Sequence, residues 1–421
     1  MSTSRSFSSM LNEYLTNDLL REETLKRDYI LKTCQKDNSW KGGPIIVPFK
    51  ATGASSVRMG KLTAVADISQ DKFVRGEISD YKEAWGSMIF NHRDIMDHSG
   101  RINEDSFLKI LPDLVEDFAE YMKMVVSIQL GTGPHFASAS VDGTAGGVLV
   151  VDKIDRFCLD QKVALKGDVA ASADYYVINI NINTNEVTFS ATRGGAAADI
   201  SAYTVADNAK VYTDEADNTS FQSMRDAYLS AANGGSATLH GQTKTAYPFL
   251  QAVNIDGASW TAANILGKLF DGYTEVRKKA RGRASDILCS YTVGGAIMQA
   301  IENGGGTNGY RGNFQMTVKD KKASLYGWDE IMLTTVKGDL KIVMIQEWDD
   351  DIVVYHDPKS CTFRSNGYFK DRINPDDGRK FYEVRTEDGY QYVVDKCLFG
   401  EMEHTKPGNN GIVYGIDPSN F

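Results

Sequence analysis

EDSFLKILPDLVEDFAEYMKMVVSIQLGTG, residues 104–133, decides the fold. Its apolar residues are Phe107, Ile110, Leu111, Leu114, Phe118, Tyr121, Met122, Val125 and Ile128, spaced by three or four, with adjacent pairs at 110–111 and 121–122. That is one face of an amphipathic helix sustained over many turns. Glu116, Asp117, Glu120 and Lys123 occupy the other face. Proline lacks an N–H and suits a first turn, so Pro112 predicts that the long helix starts near Leu111, after a short helical lead-in. Gly131 and Gly133 supply the stop.

Upstream, the chain has few groups for a core. Residues 1–41 are polar, with a weak helical pattern at Leu11, Leu15, Leu19, Leu20 and Leu25, and read as an arm that orders against a neighbouring subunit. Deletion of Ser2–Asn38 is then expected to leave a folded protein that assembles poorly. Residues 42–92 read as a long β excursion, out through GGPIIVPFK and back through FVRGEISDYKEAWGSMIF, with small polar residues at its centre. Structureless loops of this length are uncommon in compact domains, and lying on a neighbour would resolve the problem.

Downstream, strands dominate. Residues 132–147, rich in Gly, Ser and Ala, read as a loop. Residues 147–216 read as a small β insertion, clearest in the hairpin YYVINININTNEVTFSATR. There Tyr176, Ile178, Ile180 and Ile182 alternate with polar residues, the turn falls near 184–185, and Val187 and Phe189 return. A short helix is expected within 220–232. A longer one follows Trp260, with Thr261 as N-cap, and then come the strand DILCS and the helix TVGGAIMQAIE. From Phe314 onward the pattern is strands and turns.

The chain has 421 residues and a net charge of −10, which argues against broad nucleic-acid binding but not against a container for it. Five cysteines without CxxC spacing read as reduced thiols. Neither a leader-type apolar segment nor a membrane-length apolar run is present. The Asn218–Thr219–Ser220 sequon is discounted without a secretion signal.

Chemistry-bearing patterns are sparse. The histidines at 92, 98, 135, 240, 356 and 404 lack zinc spacing and read as surface or loop residues. Gly304, Gly306 and Gly309 match GxGxxG, but they end a helix instead of joining a strand to one. Asp349, Asp350 and Asp351 read as a solvated hairpin turn ahead of a divalent-cation site. The basic cluster Arg277, Lys278, Lys279, Arg281 and Arg283 suits a helix C-terminus, and the same charges could face an axis or an anionic partner. No catalytic constellation emerges, so an enzyme is not expected, and no cofactor or metal is called for.

The order of parts carries more than any motif. A polar arm, the excursion GGPIIVPF to FVRGEI, a spine helix at 111–130 ending in Leu130-Gly131-Thr132-Gly133, a helix–strand–helix run and the segments LYGWDEIML and DIVVYHDPKSCTFR follow one another. This resembles the major capsid proteins of tailed bacteriophages, the Hong Kong 97-like fold. The resemblance implies an α+β protomer with an N-terminal arm (1–41), extended β loop (42–92), peripheral domain with spine helix (93–146), β-rich insertion (147–216), axial domain (217–340) and return to the peripheral domain (341–421). It implies self-assembly as hexamers and pentamers into an icosahedral virion shell in the host cytoplasm. Scaffolding, portal and possible decoration proteins are the implied partners, with double-stranded DNA held weakly and no membrane contact. Phe49, Val57, Arg58, Met59 and Lys61 become intersubunit contact candidates, and the basic cluster becomes an axial one. The acidic helix face becomes an inner wall past which DNA slides. An encapsulin-like compartment is the first alternative. A β-rich binding or tail-associated protein, or a hydrolase with an unfamiliar site, is the second.

Overall fold

The computed structural model describes residues 28–41, 43–50, 73–79, 82–91, 104–213, 220–279, 284–302, 330–335, 338–366, 370–371, 382–386 and 389–421. Helix α1 (Tyr29–Thr33) leads into β1 (Gln35–Asp37), followed by β2 (Ile45–Lys50), β3 (Phe73–Ile78) and β4 (Lys82–Asn91). Helix α2 (Glu104–Gly131) is next, then β5 (His135–Val141), β6 (Val148–Val151), β7 (Lys162–Lys166), β8 (Ala173–Asn181), β9 (Glu186–Ser190) and β10 (Lys210–Thr213). After α3 (Met224–Tyr228) come β11 (Thr238–Leu239), β12 (Gln242–Thr243), β13 (Val253–Asp256), α4 (Ile265–Lys279), β14 (Asp286–Cys289) and α5 (Tyr291–Glu302). The remainder is β15 (Glu330–Thr335), β16 (Gly338–Met344), β17 (Val353–His356), β18 (Cys361–Ser365), β19 (Lys370–Asp371), β20 (Tyr382–Thr386), β21 (Gly389–His404) and β22 (Gly411–Tyr414).

The fold is α+β. In the first sheet the 16-residue β21 pairs with β18, β19, β20 and β4, and β1 joins β18 in parallel. A second sheet has the order β13-β22-β17-β14-β16-β15 and carries α4 and α5. Strands β10-β5-β6-β9-β8-β7 close into a barrel with its own core of Leu149, Val163, Val177, Val187 and Phe189. The C-terminal third contributes to both sheets, with β14 to β17 and β22 in the second and β18 to β21 in the first.

Four local expectations need correction. Helix α2 starts at Glu104 and runs through Pro112, so it does not begin near Leu111. A proline removes one backbone bond, and the turns on either side carry so long a helix across the gap. Within 132–147, residues 135–141 form a strand, because both neighbours β10 and β6 are available to pair with it. In the β8–β9 hairpin a bulge between Val177 and Asn179 shifts the register, so Val177 points inward and Ile182 is exposed. Helix α4 begins at Ile265, later than the sequence pattern places it, after a turn in which Thr261 O accepts Ile265 N–H and Asn264 Oδ1 accepts Thr261 N–H.

The arm expectation also changes from residue 28 on. Ile30, Leu31, Cys34 and Trp40 lie in the main core with Met122, Val126 and Leu130 of α2. Asp28 caps α1 by accepting from Leu31 N–H, and Tyr29 Oη donates to Asp286 across to the second sheet. Residues 28–40 are therefore body, not arm. The excursion splits in the same way. Val47, Phe49 and Ile78, on the inner face of the β2–β3 ribbon, are buried in this chain's own core, while residues 51–72 lie outside the described residues.

Candidate assembly surface and the junction behind it

Parity along β4 sets the geometry of the long sheet. Ala84 and Met88 point inward, and a Cβ on Gly86 would strike Phe118 and Met122 of α2. That face is closed by the helix. The opposite parity carries Glu83, Trp85, Ser87 and Ile89, registered with Phe399, Cys397, Asp395 and Val393 of β21. Trp85 stands edge-on to Phe399 at 5.7 Å, and its Nε1 donates to Glu83 Oε2 at 2.6 Å. Trp85, Ile89 and, across β21, Val384 are 47%, 53% and 43% exposed. An antiparallel sheet with one solvated face normally turns polar residues to water. Here three large apolar groups stand there instead. On the outer face of the ribbon Ile46 and Phe73 are exposed as well. Between β4, α2 and the barrel base lies a groove of about 730 Å³ lined by Tyr121, Val125, Gln129 and Lys162.

Behind this surface the end of α2 is fixed by two glycines with different tasks. Gly133 takes φ +127°, and its N–H reaches Ile128 O at 3.2 Å beside the Thr132 bond at 2.9 Å. Gly131 lacks a Cβ because the buried Trp348 indole occupies that space, with a nearest approach of 2.3 Å to an added Cβ. The chain leaving Trp348 is the triple-Asp turn. Asp349 is buried and lies 3.0 Å from His135 Nε2 at the barrel base, 3.0 Å from Arg156 Nη2 and 3.4 Å from Arg225 Nη1. Arg225 also pairs with Asp351 at 2.8 Å, and Lys153 pairs with Asp350 at 2.6 Å. Arg156, itself buried, donates further to Phe136 O and Glu347 O. Burial alone would raise the Asp349 carboxyl, but His135 and the two guanidiniums hold it well below the ordinary carboxylate range.

Asp349 is thus not solvated, while Asp350 and Asp351 stay partly exposed beside it. The turn is an ionic junction with a buried centre at Asp349, joining the barrel, α3 and the second sheet. Among the described residues no group of three or more His, Cys, Asp or Glu side chains could hold a metal ion. Phe49, a contact candidate, is 1% exposed and stacks at 6.0 Å on His240, so it cannot reach a neighbour. Val57, Arg58, Met59 and Lys61 lie outside the described residues. Arg277 and Lys278 are exposed in the last turn of α4, with the Arg277 guanidinium 4.9 Å over the Tyr273 ring. Lys279 ends that helix, and Arg281 and Arg283 lie outside the described residues. On α2, Asp117 and Glu120 are exposed.

The surface reading of the histidines fails for four of them. His135, His240, His356 and His404 are buried, while His92 and His98 lie outside the described residues. Isolated histidines in sequence gave no sign that the fold gathers His240, His356 and His404 at the end of β21.

Glu401 of β21 accepts from Gln222 N–H at 2.7 Å and from Met402 N–H at 2.9 Å. Burial pushes its carboxyl up to about 7. The folded chain then keeps a proton between pH 4.5 and 7 that the unfolded chain has lost, so this group's stabilisation falls as pH rises through the window. Glu401→Gln keeps an acceptor and removes the titration. Urea unfolding should find the variant more stable than the parent at pH 8, by on the order of 3 kcal/mol, and the two equal near pH 4.5.

No family model and no curated protein sequence matches the chain. Among solved structures, it is similar to the capsid asymmetric unit of cyanophage A-1(L), with 13% identity over 91% of each chain and a TM-score of 0.43. It is similar to the capsid of an empty GTA particle computed with C5 symmetry, with 8% identity over 93% of this chain and 90% of that one and a TM-score of 0.44. It is similar also to the holo-SrpI encapsulin complex of Synechococcus elongatus PCC 7942, with 6% identity over 94% and 90% and a TM-score of 0.37.

Proposed function

We propose that the chain is the repeating subunit of a closed icosahedral shell, the major capsid protein of a tailed bacteriophage, arranged as hexamers and pentamers around double-stranded DNA. The observation that carries this reading is the apolar exposure on one face of the long sheet, where Trp85, Ile89 and Val384 are exposed opposite the face that α2 closes. Apolar groups gathered on one sheet face mark a surface that a partner covers. A second copy is the occupant that needs no further component, because a patch meeting a different patch on the next copy generates rings. Burying these groups contributes about 25 cal/mol per Å² at each contact, repeated at every subunit. The net charge of −10, with Asp117 and Glu120 exposed on the helix, suits a wall that releases packaged DNA freely. Scaffolding, portal and decoration proteins are the partners that such a shell takes, with assembly in the host cytoplasm. The chain itself plays a structural part, not a catalytic one.

The double variant Trp85→Glu/Ile89→Glu tests the surface. Both side chains already meet solvent, so the fold should survive the change at a cost of about 1 kcal/mol per site, the larger share at Trp85, whose edge contact with Phe399 is lost. Assembly, read by light scattering coupled to size exclusion, should be lost. Shells of normal size from a folded variant would sink the proposed contact.

A further inference from the structure

Strands β11 and β12 form a small hairpin whose turn is His240–Gly241, both in the left-handed region at φ +46° and +75°. The hairpin grips the β2–β3 ribbon at two points. Glu77 N–H donates to His240 O at 2.9 Å, and Gln242 Nε2 donates to Arg75 O at 2.7 Å. The His240 ring is inserted between Phe49 of the ribbon, stacked at 6.0 Å, and His404 of β21, stacked at 6.2 Å. Its Nε2 accepts the backbone N–H of His404 at 3.0 Å. A backbone N–H only donates, so Nε2 must carry its lone pair, and a proton there breaks a buried backbone bond and leaves a charge between two rings.

We infer that this hairpin is an acid-released clamp: a proton on His240 Nε2 expels the ring from between Phe49 and His404 and frees the β2–β3 ribbon from the body. Burial is what opposes a charge on the ring, and other titratable groups pack around it. From β21 comes His404, edge-on to Tyr228 of α3 at 5.3 Å. From β17 comes His356, near His404, and Lys244 beyond the hairpin adds a cation whose Nζ donates to Asp226 O and Leu229 O. The ribbon's own Arg75 and Glu77 side chains are exposed and turn away from the ring's face. Burial pulls His240 down to about 4. A released imidazole titrates near 6.5, so the closed clamp is fully favoured above that pH and loses ground as pH falls toward 4.

Hydrogen–deuterium exchange of the full chain, corrected for intrinsic chemical rates, tests this independently of the shell reading. Peptides spanning Ile45–Lys50 and Phe73–Ile78 should lose protection by about tenfold per pH unit below pH 6.5, while the barrel strands Val148–Val151 and Glu186–Ser190, which carry no histidine, keep theirs. His240→Asn, which suits the left-handed turn, should abolish that slope. Gln242→Ala, at a position whose side chain is not part of the core, should lower ribbon protection at every pH and keep the slope. Ribbon protection that ignores pH in the parent chain would overturn the inference. So would a loss shared equally by the barrel, or an unchanged slope in His240→Asn.

Discussion

Replacing Asp349 by Asn is expected to cost about 3–5 kcal/mol of unfolding free energy at pH 7, read by urea denaturation. The amide keeps the shape but removes the only charge that His135, Arg156 and Arg225 share among the described contacts. The Arg156 side chain is 1% exposed, so its guanidinium cannot turn to water when its counter-charge goes. The same change at Asp351, whose side chain is 36% exposed and pairs with Arg225, should cost about 1 kcal/mol or less. The contrast between neighbours two residues apart isolates burial as the cause. Because the Asp349 carboxyl is held far below its unfolded value, its stabilisation is complete above about pH 4. It is lost only as pH falls through the strongly acid range. Equal costs at 349 and 351 would contradict an ionic junction.

Deleting residues 2–38 is expected to destroy the folded body, whereas deleting residues 2–27 should leave it intact. The longer deletion removes Ile30 and Leu31, each 1% exposed, and Cys34, together with the Asp28 cap and the parallel pairing of β1 with β18. Two buried aliphatic residues alone are worth roughly 2–5 kcal/mol each. That sum matches the whole stability of a typical domain. The Asp37–Arg364 ion pair, which Glu403 extends, goes with them. Circular dichroism and thermal unfolding should find a cooperative transition only in the shorter deletion. A folded 2–38 deletion would mean that the α1–β1 segment is an appendage despite its burial.

How far the fold could be read in the sequence depends on the range of the interactions involved. The three-to-four spacing from Phe107 to Ile128 is a local signal, and it marked α2 correctly because one helix face repeats whatever it packs on. DILCS and TVGGAIMQAIE were legible for the same reason. The β8–β9 hairpin was found, but its inward face was not, since a bulge changes parity without changing composition. The strand at His135–Val141 was hidden because small residues become a strand only when neighbours on both sides offer a ladder. The ionic junction was missed altogether. Three aspartates in a row look solvated until Trp348 seats on Gly131 and drags Asp349 against cations placed nearly two hundred residues earlier in the chain. The buried face of the α1 segment was missed likewise, because Ile30, Leu31 and Cys34 gain partners only from α2 and β18.

Electron microscopy of the purified chain tests the central claim most directly. Shell formation predicts closed particles of uniform diameter with fivefold and sixfold clusters, lost in the Trp85→Glu/Ile89→Glu variant. Particles that hold enzyme and no nucleic acid after expression in a phage-infected host would place the chain in a compartment instead of a virion. A folded monomer that forms no particle at any concentration, alone or in a lysate supplying scaffold and portal, would contradict the account.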